Sequence, residues 1–137
     1  MPEKKTIERA GRDAREGKAS TTQAGEFVRE EMEHVREGKH GARNTRQAIA
    51  IGLSKARRAG VKLPAPGRGT SRRTRRKAAQ DTRAATRGGV RRRTSTRRSR
   101  ATTKALRREG HRAASRRALW RRGKWTARHP RRPARSR

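Results

Sequence analysis

The sequence contains no cysteine. Disulfide scaffolds and cysteine-ligated zinc or iron–sulfur sites are therefore excluded. Aromatic residues make up 2% and hydrophobic residues 27% of the 137 positions, against about half in an ordinary globular domain. A packed core over the whole length is ruled out, and much of the chain is expected to be unfolded on its own. The longest apolar run, residues 48–53, contains a glycine and is too short to span a bilayer. The opening MPEKKTIERAG lacks the apolar stretch of a secretory signal. No G-x-x-x-x-G-K-[ST], G-x-G-x-x-G or H-E-x-x-H motif is present. No pair of acids lies in an apolar setting, so general acid–base chemistry has no candidate site. The chain reads as not an enzyme, with no cofactor and no membrane partner.

Carboxylates are also scarce, and their distribution is the main functional signal. There are 43 Lys+Arg and 11 Asp+Glu, a net charge of +32. Residues 1–62 hold 15 basic and 9 acidic residues, whereas residues 63–137 hold 28 basic residues and only Asp81 and Glu109. A solvated face kept for solubility would not exclude acids so completely. The second half therefore reads as a surface for a polyanion. Leu63-Pro64-Ala65-Pro66-Gly67-Arg68-Gly69 separates the halves, and its prolines and glycines suit a linker. The expected organisation is a helical module at 1–62, a linker at 63–70 and an arginine-rich tail at 71–137.

The fold class expected is mostly α: a small N-terminal helical hairpin of two to three helices plus a disordered or transiently helical cationic tail. Thr6 to Glu16 is a weak helix candidate closed by Gly17. Ser20-Thr21-Thr22-Gln23 fits a capping box. Behind it, Ala24, Phe27, Val28, Met32 and Val35 follow one face of a 3.6-residue period up to Gly38. Asn44-Thr45-Arg46-Gln47 is a second start signal, and Ile49, Leu53 and Ala56 line the next helix. Gly60 followed by Val61 suits a Schellman ending. With about ten large apolar residues the module is marginal, which favours a partner or a homo-oligomer through these helices. The acidic stretch Glu26–Glu37 is expected to pair with the basic stretch Arg46–Arg58.

The run from Gly25 to Pro64, with its KHGAR turn and QAIAIGLSKARRAG helix, resembles a family of small, very basic bacterial proteins of poorly defined function. Members are labelled histone-like or plasmid-stabilisation proteins. The resemblance extends to the Arg/Lys/Ala-rich tail. It implies a DNA-associated role and transfers no catalytic residue.

In the tail, ALRREG at 105–110 is echoed by ALWRRG at 118–123. Short helical pieces are expected near 72–87, 96–109 and 112–122, with too few large apolar residues to form a core. The nucleic-acid-binding candidates are Arg72, Arg73, Arg75, Arg76, Lys77, Arg91, Arg92, Arg93, Arg97, Arg98, Arg100, Arg107, Arg108, Arg116, Arg117, Arg121 and Arg122. Trp120 and Trp125, set among arginines, are candidates for base stacking. Pro66-Gly67-Arg68-Gly69 and Pro130-Arg131-Arg132-Pro133 only partly match minor-groove hooks. Thr94-Ser95-Thr96 lie among arginines where phosphorylation would cancel charge. Glu30 and His34 form an i, i+4 pair suited to a metal, but no third ligand is in view, and His40, His111 and His129 have no ligand-like spacing. No metal is expected.

The leading functional expectation is a nucleoid-associated, histone-like protein of the bacterial cytoplasm that binds duplex DNA through phosphates. The alternatives are an RNA-binding or ribosome-associated basic protein and an interaction protein in plasmid maintenance. Backbone ordering costs about 1–2 kcal/mol per residue, and like charges at i, i+4 oppose helix. Phosphates relieve the second cost. Far-UV circular dichroism of residues 70–137 should therefore show little helix alone and a clear gain with duplex DNA. Strong helicity without DNA at low salt contradicts this.

Overall fold

A computed structural model describes residues 2–86 and 95–128, and all regular structure among them is helical. The α-helices are α1 (Lys4–Arg15), α2 (Ser20–Arg36), α3 (Thr45–Arg58), α4 (Arg72–Thr86), α5 (Thr96–Arg108) and α6 (Arg116–Arg128). A 3-10 turn, Arg112–Ala114, precedes α6. The helical class stands. The small hairpin does not, because further helices pack onto it.

Local chemistry sets the helix ends. At the start of α3, the Asn44 side chain accepts the Gln47 N–H at 2.8 Å, and Gln47 Oε1 accepts the Arg43 N–H at 2.6 Å. The expected start signal is realised. The capping box at Ser20 is not. Ala19 is the N-cap of α2, Ser20 lies inside the first turn, and Gln23 Nε2 donates to the Lys18 carbonyl at 2.9 Å instead. α2 and α3 end in Schellman turns: the Lys39 N–H bonds the His34 carbonyl and the Val61 N–H bonds the Ala56 carbonyl, each at 3.0 Å.

α2 is the central element, with α1 and α3 packed against it, and α4 packs on α3. Two small apolar clusters result. One joins Ala10, Ala24, Phe27 and Ala56, with Leu53, Val61 and Leu63 against it. The other joins Met32, Val35, Ala42, Ala48, Ala113 and Ala114, with Val28, Ile49 and Leu119 against it. Alanine dominates both, so the backbones must approach closely to exclude water. Gly52 permits this: a Cβ there would sit 2.7 Å from Val28 Cα.

The second cluster takes in residues of the tail, a stretch expected to hold too few large apolar residues to form a core. Ala114 is 0% exposed and Ala113 6%. The segment 106–114 is strapped across the turn that follows α2. The Gly41 N–H donates to the Leu106 carbonyl at 2.8 Å, and the Ala42 N–H to the Gly110 carbonyl at 3.0 Å. Arg36 Nε donates to the Ala114 carbonyl at 3.0 Å, and Thr45 Oγ1 to the Ala113 carbonyl at 2.5 Å. His111 Nδ1 meets the Val35 carbonyl at 3.0 Å. At the other end, Leu63 packs on the first cluster. Of the expected tail helices, α4 and α6 contact the module. α5 buries no residue, and the Leu106 carbonyl near its C-terminus takes the Gly41 N–H.

Two substitutions test this packing. A Cβ at Gly41 would lie 1.9 Å from the Glu109 carbonyl oxygen, and one at Gly52 would meet Val28 backbone. Overpacking costs about 1–3 kcal/mol. Gly52→Ala should lower the stability of the whole module by that amount. Gly41→Ala should release the strap, with faster hydrogen exchange at the Gly41 and Ala42 amides and α1–α3 retained. Unchanged exchange in Gly41→Ala contradicts the strap.

Candidate nucleic-acid interface

The charged residues are sorted by whether they find a partner within the chain. Most carboxylates are used up inside the α1–α3 module. Glu26 pairs with Arg9 at 3.9 Å, Asp13 with Lys18 at 2.8 Å, Glu33 with Arg29 at 3.1 Å and Glu37 with Lys39 at 3.3 Å. Glu31, which is 0% exposed, receives the Lys55 ammonium of α3 on Oε1. The expected pairing of the acidic helix with the basic one rests on this contact.

Asp81 holds α4 in place. Its carboxylate is 2% exposed. Oδ2 accepts Ser54 Oγ–H at 2.7 Å, while Oδ1 accepts Arg58 Nε–H at 2.8 Å and the Lys77 ammonium at 2.6 Å. Burial pushes the Asp81 carboxyl up, but the hydrogen bonds from Lys77, Ser54 and Arg58 outweigh it and hold the group below its ordinary value. Lys77, one of the sequence candidates, is thus paired with an acid of its own chain, although its side chain is half-exposed.

The other candidates are left outside. Arg72, Arg73, Arg75 and Arg76 on α4 are exposed, as are Arg97, Arg98, Arg100, Arg107 and Arg108 on α5, and Arg116, Arg117 and Arg121 on α6. None of these twelve forms an ion pair with another described residue. Arg122 is half-buried on α6. Trp120 is 60% exposed, with the Lys124 ammonium 4.0 Å from its ring centre. Arg91, Arg92, Arg93 and the Trp125 side chain lie outside the described residues, as do Thr94 and 130–133. No helix among the described residues is long and apolar enough to cross a membrane.

A second constellation was hidden from sequence spacing. The pair Glu30–His34 does have company. Glu3 Oε1 lies 3.0 Å from His34 Nε2, and His40 Nε2 lies 3.0 Å from Glu31 Oε2. His40 reaches this place because the turn after Gly38 folds the chain back on α2, which a helical spacing rule does not register. Glu30 is 3% exposed and takes the Glu3 N–H on Oε1 at 2.8 Å. Two adjacent buried carboxylates, Glu30 and Glu31, therefore exist where the sequence shows none in an apolar setting. The Glu3 carboxyl is lowered by its bond to His34 and then by Lys39.

Residues 3–66 match the model of a family described as "Family of unknown function (DUF6496)". The match covers α1–α3 and the chain up to Pro66, just under half of the sequence, and stops before α4. The Glu/His constellation lies inside it and the exposed arginines of α4–α6 outside it. No curated protein matches, and no solved structure matches.

The Asp81 geometry generates a pH prediction. A carboxyl lowered by folding stabilises the folded state above its ordinary value of 3.8, and that contribution disappears as pH falls through the lowered value. Asp81→Asn should reproduce the acid effect at pH 7, weakening the docking of α4 by about 1–3 kcal/mol. Hydrogen exchange across α4 reads it. An α4 as protected in Asp81→Asn as in the parent chain contradicts the docking role.

Proposed function

We propose that the chain binds nucleic acid without sequence preference, duplex DNA foremost, by neutralising phosphates with the arginines of α4, α5 and α6. One observation supports this above all. Twelve exposed arginines on three helices lack ion pairs among the described residues, while most of the acids are paired within the α1–α3 module or dock α4. Arginine suits the task because its planar fork meets phosphate oxygens two at a time. Duplex DNA presents one charge per about 1.7 Å, so the 26 net charges of residues 63–137 correspond to about 44 Å, or about 13 base pairs. Phosphate contacts position a protein without reading bases. The expected activity is therefore coating and condensing DNA, in the manner of a histone-like protein, rather than operator recognition.

α5 is the element most dependent on its ligand. It buries no residue, and its arginines at 97, 98 and 100 repel one another until phosphates intervene. A second reading, single-stranded RNA, draws on Trp120, whose exposed ring among Arg116, Arg117 and Arg121 offers a stacking surface.

Salt dependence tests the proposal. With about 8 phosphates neutralised, the logarithm of the binding constant should fall against the logarithm of salt with slope near −7. Replacing Arg97, Arg98 and Arg100 by Gln should make that slope shallower by up to about 3, with equal loss on any duplex sequence. Trp120→Ala should cost about 1–3 kcal/mol on single-stranded RNA and little on duplex DNA if stacking operates. A shallow slope, or strong preference for one duplex over its scrambled version, contradicts the proposal.

A further inference from the structure

We propose that Glu31, His34 and His40 form a binding site for a divalent transition metal of the zinc type. The site is independent of nucleic-acid binding. One ligand atom from each residue lies within 4.8 Å of the others.

Hydrogen bonds at the rear of both histidines aim them at Glu31. His40 Nδ1 lies 3.0 Å from the Gly41 carbonyl. A carbonyl only accepts, so Nδ1 carries a proton, and in that tautomer Nε2 is the free ligand atom, 3.0 Å from Glu31 Oε2. His34 Nε2 lies 3.0 Å from Glu3 Oε1. A carboxylate only accepts as well, so Nε2 carries the proton and Nδ1 is left bare, 3.9 Å from Glu31 Oε1. An acceptor behind each ring and a lone pair in front is the arrangement by which metal-binding histidines are oriented.

The carboxylate gives a second, independent indication. Glu31 is 0% exposed, and its Oε2 is buried with no hydrogen-bond partner. The Lys55 ammonium occupies Oε1 only. Oε2 and His40 Nε2 thus face each other closely outside hydrogen-bonding geometry, two lone pairs in a place that favours a shared cation. Around them stand the carboxylates of Glu3 and Glu30. Two imidazole nitrogens and one carboxylate oxygen form a donor set that zinc accepts, with a fourth position for water. Bonds of about 2.0–2.2 Å bring such donors to roughly 3.3 Å apart, so the ligands close in by rotation of His34. The histidine side chains are 13% and 14% exposed, which opens a path from solvent to an otherwise buried carboxylate.

The test is titration of the untagged full chain with zinc chloride, followed by calorimetry, and with cobalt chloride, followed by visible absorption. The expected result is one metal per chain, with cobalt bands of four- or five-coordinate intensity. Glu3→Ala removes the acceptor behind His34, together with a partner of Lys39, and should weaken binding about 10–100-fold. His34→Ala and His40→Ala should weaken it further, and His129→Ala should change nothing. Nitrogen-detected spectra of the parent chain guard against variants that fail to fold: zinc should shift His34 Nδ1 and His40 Nε2 and leave His111 unmoved. The proposal is overturned if the parent chain takes up no metal, if His34→Ala and His40→Ala bind as tightly as the parent, or if those two nitrogens do not respond. A cluster that takes up only a proton, with His40 doubly protonated and zinc ignored, overturns it too.

Discussion

In a chain with a net charge of +32, buried carboxylates join segments of the fold by taking cations from neighbouring helices. Two sites do this. Asp81 draws Arg58 of α3 and Lys77 of α4 to one oxygen, joining helices that would otherwise repel. Glu31 of α2 takes Lys55 of α3 and faces His40 of the following turn. Desolvating a carboxylate is costly unless it is paired and hydrogen-bonded, and both are paired. The apolar contribution is modest by comparison, because the two clusters consist largely of alanine with Phe27, Met32 and Val35 as the bulky members. Backbone contact at Gly52 and Gly41 makes up for the missing side-chain volume.

Once the acids are committed, the remaining cations are left to solvent. Helices α4, α5 and α6 carry them: on α4 only Ala78 and Asp81 are buried, α5 buries no residue, and α6 turns Leu119 toward the second cluster, while twelve arginines of these helices stay exposed. The proposed nucleic-acid surface is thus what remains after the fold has satisfied its own charges. The family match ends at residue 66, so the basic helices stand beyond the segment that relates this chain to others. The Glu/His constellation stands within it. The two proposals therefore attach to different parts of the chain and stand or fall separately.

The sequence made some of this legible and hid the rest for identifiable reasons. Asn44 and the glycines at 38 and 60 mark helix ends through local hydrogen bonding, which is written in neighbouring residues. The periodicity of Phe27, Met32 and Val35 marks a buried face for the same reason. The strap at 106–114 was not legible, because its buried members are two alanines in an arginine-rich run and its partners, backbone amides of Gly41 and Ala42 and the side chains of Arg36 and Thr45, lie far away in the sequence. The burial of Asp81 was equally hidden, since its partners Ser54 and Arg58 come from a different helix. His40 joins His34 and Glu31 through a reversal of the chain, not a helical period. Exposed arginines, by contrast, were readable from composition, because a long run without acids cannot neutralise itself.

The central claim is that the fold pairs most of its acids within the chain and leaves the exposed arginines of α4–α6 for a polyanion. Guanidinium Nε–Hε resonances of the full chain, followed by nuclear magnetic resonance while a 13-base-pair duplex is added at low salt, test it most directly. The account predicts large shifts for the exposed arginines of α4, α5 and α6, and an unmoved Arg58, which stays bonded to Asp81. Shifts confined to arginines of α1–α3, or a duplex that displaces Arg58 from Asp81 while the exposed arginines stay still, would contradict it.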